Sequence, residues 1–422
     1  MLRPDPNALP APRRRHLPLL AIVVVALVLR VGLGFALPSD LAALPDQGEY
    51  LDLARSLADG RGLRIVDDRY AVPQVLLAQR MPGYPVILAG LGGSVTLVRL
   101  LQALAEASTC VAAYGIARET VGGRRAGLAA AALVAVNPFL AYFTTLVLTE
   151  TLFTALVTWA MFAFLKARRD GRYWYVAAGL MLLATYLRPT GGPLLIALAL
   201  AASILPARRG RWPIGPGLTA MLILALGLAP WAARNALALG RFVPTTTNAG
   251  ITLYDGWQPD NNLGNSDQRF VEGMPQLSLM GEVDRSIYLR RKAMDAVKAD
   301  PGRAISLAIK KVGRTWSPFP LSGGRWERIA GALYAIPVFL LAALGLVAAP
   351  GGRQGWRGRI FVIVPIGVIT LLHAASVGSL RYRLPIEPLM AVLAAGGLAA
   401  LVGVATATTA RRRAYQSTTP DV

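Results

Sequence analysis

The sequence lacks most of the residues from which disulfide scaffolds and zinc sites are built. It has one cysteine, Cys110, and two histidines, His16 and His373, in 422 residues. These counts exclude a disulfide framework and a metal centre made of cysteine or histidine. Charged residues are also scarce, at 16% of the chain, whereas a soluble domain has about 25%. With 54% hydrophobic residues and a mean hydropathy of +0.47, the chain is too apolar for a disordered or an ordinary soluble protein.

Long apolar segments take up most of the chain. Each is close to the roughly 20 residues that a helix needs to cross a bilayer. We predict an all-α polytopic membrane protein with about ten transmembrane helices, at 17–37, 94–117, 126–142, 146–165, 173–187, 190–206, 213–237, 327–349, 360–376 and 384–405. The basic N-terminus followed by Leu17–Leu29 resembles a signal peptide, but the many later spans favour an uncleaved first helix.

The net charge of +21 is distributed as expected for a membrane protein and not for a nucleic-acid-binding protein. Basic residues concentrate at both termini and in alternate connections, at 118–125, 166–172, 208–211 and 353–359. The positive-inside rule then places both termini in the cytoplasm. The expected organisation is a cytoplasmic tail at 1–16, a transmembrane core at 17–237 with an extracytoplasmic loop at 38–93, a second extracytoplasmic loop at 238–326, transmembrane helices at 327–405 and a cytoplasmic tail at 406–422.

The second long connection has its own pattern. Glu282–Ala299 is amphipathic and ends at Asp300-Pro301, which breaks a helix. Arg303–Arg314 alternates apolar and basic residues in a way that is typical of a helix lying at the membrane interface. Thr245–Asn265 is rich in glycine, asparagine, proline and aspartate, so it is predicted to be a loop that lines a site.

Asp46 is the first candidate for chemistry. It opens a short amphipathic helix just after the first span, four residues before Tyr50 and on the same face, and Gly60 and Gly62 end that helix. Two interpretations are open at this point. The carboxylate is either catalytic, or it forms a capping box with Glu49 and only stabilises the helix terminus.

Two further segments carry charge next to the membrane. Arg80-Met81-Pro82-Gly83-Tyr84-Pro85 predicts a rigid turn with a cation at its start, which alone could be a re-entrant corner. Glu150 lies near the outer end of the fourth span, where an ionisable residue is a functional candidate or is paired with an arginine for structure. Glu106 and Glu387 are the other acids inside spans, and Glu106 lies in no motif.

Four arginines lie near outer ends of spans, against the positive-inside bias: Arg188, Arg234, Arg381 and Arg383. Guanidinium groups bind phosphate through two parallel hydrogen bonds and keep their charge at all accessible pH values. Together these arginines could hold an anionic lipid head group. The alternative for each one is snorkelling to membrane phosphates. Arg30 and Arg99 are similar but lie in no motif.

Taken in order, these features resemble the GT-C superfamily of membrane glycosyltransferases, in particular the branch of lipid A aminoarabinose transferases and protein O-mannosyltransferases. The resemblance covers about residues 17–405. It rests on Asp46, Tyr50, Ala54 and Gly60, on Arg80-Met81-Pro82-Gly83-Tyr84-Pro85, on Asn137-Pro138 and Thr149-Glu150, on Leu187-Arg188-Pro189, on Pro230-Trp231 with Arg234-Asn235, on Gly250 to Gly264, and on Arg381-Tyr382-Arg383-Leu384-Pro385.

The resemblance implies an enzyme that moves a hexose or pentose, with inversion, from a polyprenyl-phosphate donor to an extracytoplasmic lipid, glycan or protein, such as lipopolysaccharide in cell-envelope biogenesis. Asp46, as general base, and Glu150 would be catalytic. Arg80, Arg188, Arg234, Arg381 and Arg383 would bind the donor phosphate, and Tyr50, Tyr84 and Tyr382 would contact substrate. Many relatives have two adjacent acids where this chain has Asp46 and Gln47, which weakens the case for a metal on that pair. A divalent metal stays open, since Asp46 and Glu150 could bind such an ion or only polarise hydroxyl groups.

The expected location is a bacterial cytoplasmic (inner) membrane with an extracytoplasmic active site. The expected partners are the polyprenyl-phosphate-linked sugar, membrane lipids and the acceptor, and no nucleic acid. Two alternatives use the same residues without transferase chemistry. One is a polyprenyl-phosphate or glycolipid transporter (a flippase), and the other is a structural subunit of an envelope assembly in which the acids are unreachable.

Overall fold

The computed structural model describes residues 16–37, 41, 44–204, 215–266, 268–320, 324–348 and 352–418. Almost all of the N-terminal tail, the basic residues at 208–211 and the last four residues therefore lie outside the described part. In chain order the helices and strands are α1 (Leu17–Ala36), α2 (Asp46–Ala58), β1 (Ile65–Asp67), β2 (Gln74–Leu76), α3 (Gly83–Gly90), α4 (Val95–Thr120), α5 (Gly123–Ala135), α6 (Pro138–Phe143), α7 (Glu150–Ala167), α8 (Tyr173–Leu187), α9 (Gly191–Ile204), α10 (Pro216–Leu239), α11 (Asn248–Trp257), α12 (Glu282–Ala299), α13 (Pro301–Thr315), α14 (Arg325–Ala348), α15 (Gly352–Ala375) and α16 (Glu387–Thr418).

The helical membrane architecture predicted from hydropathy is confirmed. Within the described residues, seven helices are long and apolar enough to cross a membrane. They are α1, α4, α7, α10, α14, the 358–375 part of α15, and Leu380–Gly403, which joins a 3-10 turn to α16. The apolar helices α8 and α9 are shorter. The number of spans, predicted as about ten, therefore stays a prediction.

The predicted span at 126–142 is divided into two helices. Asn137 ends α5 and caps α6, since its side-chain oxygen accepts hydrogen bonds from the backbone nitrogens of Phe139 (2.9 Å) and Leu140 (3.1 Å). Pro138 then occupies the first turn of α6, where its missing N–H is not needed. An Asn-Pro pair inside an apolar run thus separates the two helices.

Glycines allow the helices at the end of the chain to pack closely. A Cβ on Gly345 of α14 would overlap the backbone oxygen of Leu393, and a Cβ on Gly397 of α16 would overlap that of Leu341. Small residues let two helix backbones approach in the way that stabilises packing in lipid. The α14–α16 pair in turn packs against α4 and α5.

The two long connections contact each other at one end of the bundle, which is called the loop side below. The Glu282 carboxylate accepts hydrogen bonds from the backbone nitrogens of Leu77 (2.7 Å) and Ala78 (3.0 Å) and from the Thr247 hydroxyl (2.5 Å). The first connection also contains a small antiparallel hairpin, β1–β2, paired from Ile65 with Leu76 to Asp67 with Gln74. Strands of three residues are too short for a recognisable alternation, so this hairpin was not expected.

The second connection contains one more helix than predicted. Part of the segment expected to be a loop forms α11, whereas the amphipathic helix at Glu282–Ala299 and the next helix, which begins at Pro301, are as expected. The glycines that suggested a loop serve close packing instead. A Cβ on Gly250 would overlap the backbone of Ser286 in α12, and one on Gly256 would overlap the backbone of Ser376.

Candidate active site

Asp46 occupies the first turn of α2 and does not cap it. The N-cap residue is Pro45, and no side chain makes the capping hydrogen bond. The Asp46 carboxylate instead accepts from Arg80 on one oxygen (2.5 Å) and from Arg381 on the other (2.7 Å). The capping box with Glu49 is therefore not formed, because Glu49 also turns to Arg80 (2.9 Å from Nε).

The carboxylate and guanidinium groups alternate along a continuous chain of ion pairs, called the ionic network below. Its members, in order of contact, are Asp67, Arg69, Glu49, Arg80, Asp46, Arg381, Glu150 and Arg188. Neighbouring charged atoms are 2.5 to 3.5 Å apart. Arg69 is 32% exposed at one end, and Glu150 is only 1% exposed near the other. The network therefore runs from the loop side into the bundle and has equal numbers of each charge.

Glu150 is presented by a buried stretch of irregular backbone at 144–149. Gln102 donates to the carbonyls of Thr144 (3.0 Å) and Leu146 (2.8 Å), and Gln47 accepts from the backbone nitrogen of Val147 (2.9 Å). Irregular backbone is tolerated at membrane depth only where the protein satisfies its polar groups. Gln47, which occupies the position of a second acid in many GT-C enzymes, thus supports the backbone leading to Glu150.

The last two arginines of the predicted set lie in one 3-10 turn, Leu380–Ile386, but point in different directions. Arg381 donates from Nε to Glu150 (2.7 Å) and belongs to the ionic network. Arg383 is fully buried and pairs with Glu387 (2.6 Å). It also donates to the backbone oxygens of Thr315 (3.1 Å) and Ser317 (2.8 Å). Arg383 therefore anchors the turn, and the geometry does not bring it to Asp46.

Arg234 is also outside the ionic network. Its guanidinium donates to the backbone oxygens of Leu77 (2.6 Å) and Leu63 (2.9 Å), so it ties α10 to the first long connection. The N–H groups of Arg234, which the sequence analysis expected to bind a phosphate, are therefore bonded to these carbonyls. Of the five arginines expected to bind phosphate, three lie in the network: Arg80, Arg188 and Arg381.

The three predicted tyrosines all lie against the network, and two of them are buried. Tyr50 packs edge-on against Tyr84 with ring centroids 5.0 Å apart, and the Arg80 guanidinium lies 5.4 Å from the Tyr50 ring. Tyr84 donates its hydroxyl to Gln102 (2.9 Å). Tyr382 is partly exposed, with Arg188 and Arg381 within 5.5 Å of its ring centroid. The ring of His373 stacks on its face at 4.1 Å. Tyr382 is thus the most accessible of the three.

The charges of the network set the protonation of Asp46. Burial by itself would raise the pKa of this carboxyl, but the attraction of Arg80 and Arg381 outweighs burial and holds the pKa well below its ordinary value. Burial likewise opposes the charge of Arg80, and Asp46 and Glu49 raise the pKa of that guanidinium well above its ordinary value. Asp46 is therefore ionised at neutral pH, but it is a weak base while both arginines remain bonded to it.

The donor groups around Asp46 and Glu150 do not suit a divalent metal. Both carboxylates bond to Arg381, and each bonds to one further arginine. A dication placed between them would face guanidinium charges in its immediate surroundings. Within the described residues, no group of three or more histidine, cysteine, aspartate or glutamate side chains could hold a metal ion. We therefore derive no step through a metal.

Three members of the network, and Gln47 beside it, were not expected as site residues. Glu49 appeared only as a possible capping partner, Gln47 only as a departure from the GT-C pattern, and Asp67 and Arg69 in no motif. Glu49 was accessible to prediction, because three residues after Asp46 places it on the same face of α2. Arg69 reaches the network only because the β1–β2 hairpin folds back over α2. Two cavities among the described residues lie away from the network, one beside Phe319 and Arg328 and the other between Arg30 and Arg99.

Comparisons with known proteins bear on the fold. Residues 86–233, which include Glu150 and Arg188, match the family of dolichyl-phosphate-mannose-protein mannosyltransferases. The crystal structure of the Archaeoglobus fulgidus oligosaccharyltransferase tethered to an acceptor peptide is similar, with a TM-score of 0.54 and 14% identity over 91% of this chain and 49% of that one. AglB from the same organism, in complex with an inhibitory peptide and a dolichol-phosphate, gives a TM-score of 0.52 with 14% identity over 96% and 52%. The chain has the GT-C fold.

The fold implied by the sequence resemblance is therefore confirmed. The chain spans about half the length of the archaeal enzymes that it matches. ArnT from Cupriavidus metallidurans bound to undecaprenyl phosphate is also similar, with 12% identity over 91% of this chain and 78% of that one, but its TM-score of 0.41 is too low to support an argument. Comparison with curated protein sequences gives no match.

Proposed function

We propose that this chain is a membrane glycosyltransferase that moves a sugar from a polyprenyl-phosphate donor to an acceptor hydroxyl on the extracytoplasmic side of a bacterial cytoplasmic membrane. The observation that carries the proposal is the Asp46 carboxylate held between Arg80 and Arg381 on the loop side of a GT-C bundle. A carboxylate supplies a base, and guanidinium groups stabilise the charge that develops on a leaving phosphate. The matched mannosyltransferase family and the archaeal complex with dolichol-phosphate support the class of donor.

In the proposed reaction, the acceptor oxygen forms a bond to the anomeric carbon while the bond from that carbon to the phosphate oxygen breaks. The electron pair of the broken bond goes to the phosphate, and the proton of the acceptor hydroxyl goes to Asp46. Attack from the face opposite the phosphate inverts the anomeric centre. Arg80, Arg381 and Arg188 would hold the phosphate, and Tyr382, as the most accessible ring, would contact the sugar.

The paired state of the arginines implies an order of events. Every guanidinium of the ionic network already contacts a carboxylate, so a phosphate has to take over hydrogen bonds that Asp46 and Glu150 now receive. When Arg80 and Arg381 turn to the phosphate, Asp46 loses the two charges that depress its pKa. In this proposal, the carboxylate becomes a competent base only when the donor is bound.

A transporter of polyprenyl-phosphate lipids is the second candidate, and one observation favours it. The chain contains irregular, buried backbone at 144–149 and a break at Asn137-Pro138, and interrupted helices near the substrate are common in transporters. A transporter would use the same arginines but would not need the basicity of Asp46.

A comparison of two carboxylates on α2 tests the proposed function. In a strain without the gene, envelope glycolipids, glycans and glycoproteins are compared by mass spectrometry after complementation with wild type, Asp46→Asn or Asp52→Asn. Asp52 is the matched control, since it is 54% exposed and its one ion pair within the described residues is with Arg55. Wild type and Asp52→Asn should restore the missing sugar, and Asp46→Asn should fail at equal membrane abundance. Full restoration by Asp46→Asn would contradict transferase chemistry at this residue and favour the transporter.

A further inference from the structure

A lysine occupies a core position of α13. The buried positions of this helix are Ala304, Leu307, Lys311 and Thr315, which are three or four residues apart and form one face. Lys311 is 0% exposed. Its sequence neighbour Lys310 is exposed and donates to the backbone oxygen of Asn262 (3.1 Å). A fully buried lysine without a carboxylate partner is rare in proteins, so its surroundings need an explanation.

The Lys311 amine lies against an aromatic ring and has no hydrogen-bond partner within the described residues. Nζ is 3.2 Å from the centroid of the Trp257 ring. An ammonium group here would have three N–H donors and no acceptor, which is costly in a buried position. The face of the Trp257 ring attracts an ammonium group, but it can accept only one of the three N–H groups. A neutral amine leaves fewer buried donors without an acceptor. The geometry therefore favours the uncharged form.

Three glycines make room for Lys311, two for its side chain and one for its backbone. A Cβ on Gly256 would lie 3.1 Å from Nζ, one on Gly264 would lie 2.6 Å from Cγ, and one on Gly378 would lie 2.5 Å from the backbone oxygen of Lys311. The glycines come from α11, from the connection after it and from the connection after α15. Lys311 is thus the point where three separate segments meet.

The same contacts attach the second long connection to the segment that carries Arg381. The backbone nitrogen of Gly378 donates to the oxygen of Gly264 (2.8 Å), and Arg314 donates to the oxygen of Gly378 (3.3 Å). The Trp257 indole donates to the oxygen of Ala375 (2.7 Å). Gly378 lies three residues before Arg381 in a short connection. A movement at Lys311 would therefore reach Arg381 through one peptide segment.

The charge state of Lys311 is sensitive to pH in the physiological range. Burial, and then the neighbouring charge of Arg303, lower the pKa of this lysine to about 7, and Asp255 opposes that shift. Asp255 and Arg303 are the charged groups that face the amine from α11 and α13. The titratable and charged groups beside residues 376–381 are His373, Arg314, Arg381 and Arg383.

We propose that Lys311 is a positioning residue. While its amine is neutral, its side chain packs against Trp257, Gly256 and Gly264, holds residues 376–381 and thereby sets the position of Arg381. Protonation of the amine releases these residues. The glycosyl transfer would then weaken as the pH of the extracytoplasmic side falls. This consequence for catalysis rests on the proposed function, whereas the release of the segment does not.

Hydrogen exchange of the purified full-length protein tests the release without donor or acceptor. Protection of peptides covering 376–381 is measured at pH 6 and pH 8 and corrected for intrinsic exchange. For a pKa of about 7, the protonated fraction changes about tenfold between these values. We therefore expect wild type to lose about tenfold protection at pH 6. Lys311→Met should be protected equally at both values, and Lys311→Arg should be poorly protected at both.

Lys310→Met is the matched control and should keep the wild-type dependence on pH, because Lys310 is exposed. The proposal is overturned if wild type shows equal protection at both values, or if Lys311→Met retains the wild-type change, which would assign the titration to another group.

A second readout uses thermal unfolding. The unfolded chain binds a proton at Lys311 up to its ordinary pKa of 10.5, so wild-type stability should rise between about pH 7 and that value, and Lys311→Met should lose this rise.

Discussion

Two sets of arginine–carboxylate pairs in this chain use the same chemistry in different surroundings. In the first set, Arg30 pairs with Glu106 and Arg383 with Glu387, and the side chains are at most 1% exposed. Each of these arginines also donates to backbone oxygens, such as those of Val134 and Thr315. The second set is the ionic network, in which each internal member contacts two opposite charges. Arg80, Asp46 and Arg381 remain 15 to 23% exposed.

The difference indicates which pairs can exchange partners. An arginine that is enclosed by carbonyls and one carboxylate cannot leave them without exposing a buried charge. An internal arginine of the ionic network, such as Arg80 or Arg381, leaves one carboxylate and still has another, so a phosphate can enter at a lower cost. Residue type was the same in both sets, and the exposure of the side chains together with the number and kind of their partners separates the structural pairs from a candidate site.

The sharpest test of this comparison replaces the carboxylate at the centre of the network. Asp46→Asn should lower the transfer rate by about 10²–10⁴-fold, the range expected for loss of a general base. The fold should survive, because the amide keeps the shape of the side chain and Arg80 and Arg381 retain Glu49 and Glu150. Rates from purified protein, with thermal unfolding measured in parallel, check both statements. If Asp46→Asn lost thermal stability and lost activity only in proportion to the unfolded fraction, Asp46 would be part of a structural ion pair.

The second test changes a carboxylate of the first set, the buried pairs. Glu106→Gln should destabilise the protein by about 3–5 kcal/mol, since Arg30 then keeps its charge in the bundle without an opposite charge. The yield of folded protein and its thermal unfolding in detergent measure this effect. Activity per folded molecule should remain near that of wild type. A stable but inactive Glu106→Gln protein would show that the comparison between the two sets is wrong.

The next test concerns the donor. Arg381→Ala removes the cation that bridges Asp46 and Glu150, and it should weaken use of the lipid-phosphate donor by 10-fold or more, about 1.4 kcal/mol or above. Arg234→Ala is a suitable comparison, because its guanidinium bonds to the carbonyls of Leu63 and Leu77. It should lower stability and leave the donor KM nearly unchanged. The reverse result would move the phosphate site towards α10.

The dependence on pH tests whether Arg80 and Arg381 exchange partners. In the free protein the pKa of Asp46 lies well below its ordinary value, so Asp46 should stay ionised. Protonation of Asp46 should therefore not lower kcat/KM at accessible acidic pH. In the donor complex the arginines have moved and the pKa rises, so the acid limb of kcat should lie at higher pH than that of kcat/KM. Arg381→Ala should move the limb of kcat/KM upward. Coincident limbs in Lys311→Met, which lacks the titration proposed for Lys311, would contradict the exchange.

The sequence predicted the membrane helices because hydropathy is a property of each segment by itself. The starts of α1, α4, α7 and α12 fall close to the expected positions. The hairpin β1–β2 and the helix α11 were missed because three-residue strands carry no periodicity and because Gly250 and Gly256 resemble loop glycines until the neighbours that they contact are known. Local pattern was sufficient wherever a segment's environment was lipid, and insufficient wherever it was another segment.

The candidate site was predictable in part for the same reason. Asp46, Arg80, Glu150, Arg188 and Arg381 could be nominated from charge at span ends. The sequence could not show that Arg234 and Arg383 bond to carbonyls, or that Arg69 and Glu49 join the network, because partners 20 to 171 residues apart decide those contacts. Charge near a membrane identifies candidates, and tertiary packing assigns them to structure or to a site.

The smallest expected effect separates the network from the backbone that supports it. Gln102 is buried, and its amide accepts from Tyr84 and donates to the carbonyls of Thr144 and Leu146. Gln102→Leu leaves these groups unsatisfied, at about 1–3 kcal/mol each where no water replaces the bond. Because the stretch that they support leads directly to Glu150, we expect activity to fall only several-fold while thermal stability falls clearly. A large loss of activity with unchanged stability would instead place Gln102 in contact with substrate. The site would then extend further into the bundle than the ionic network.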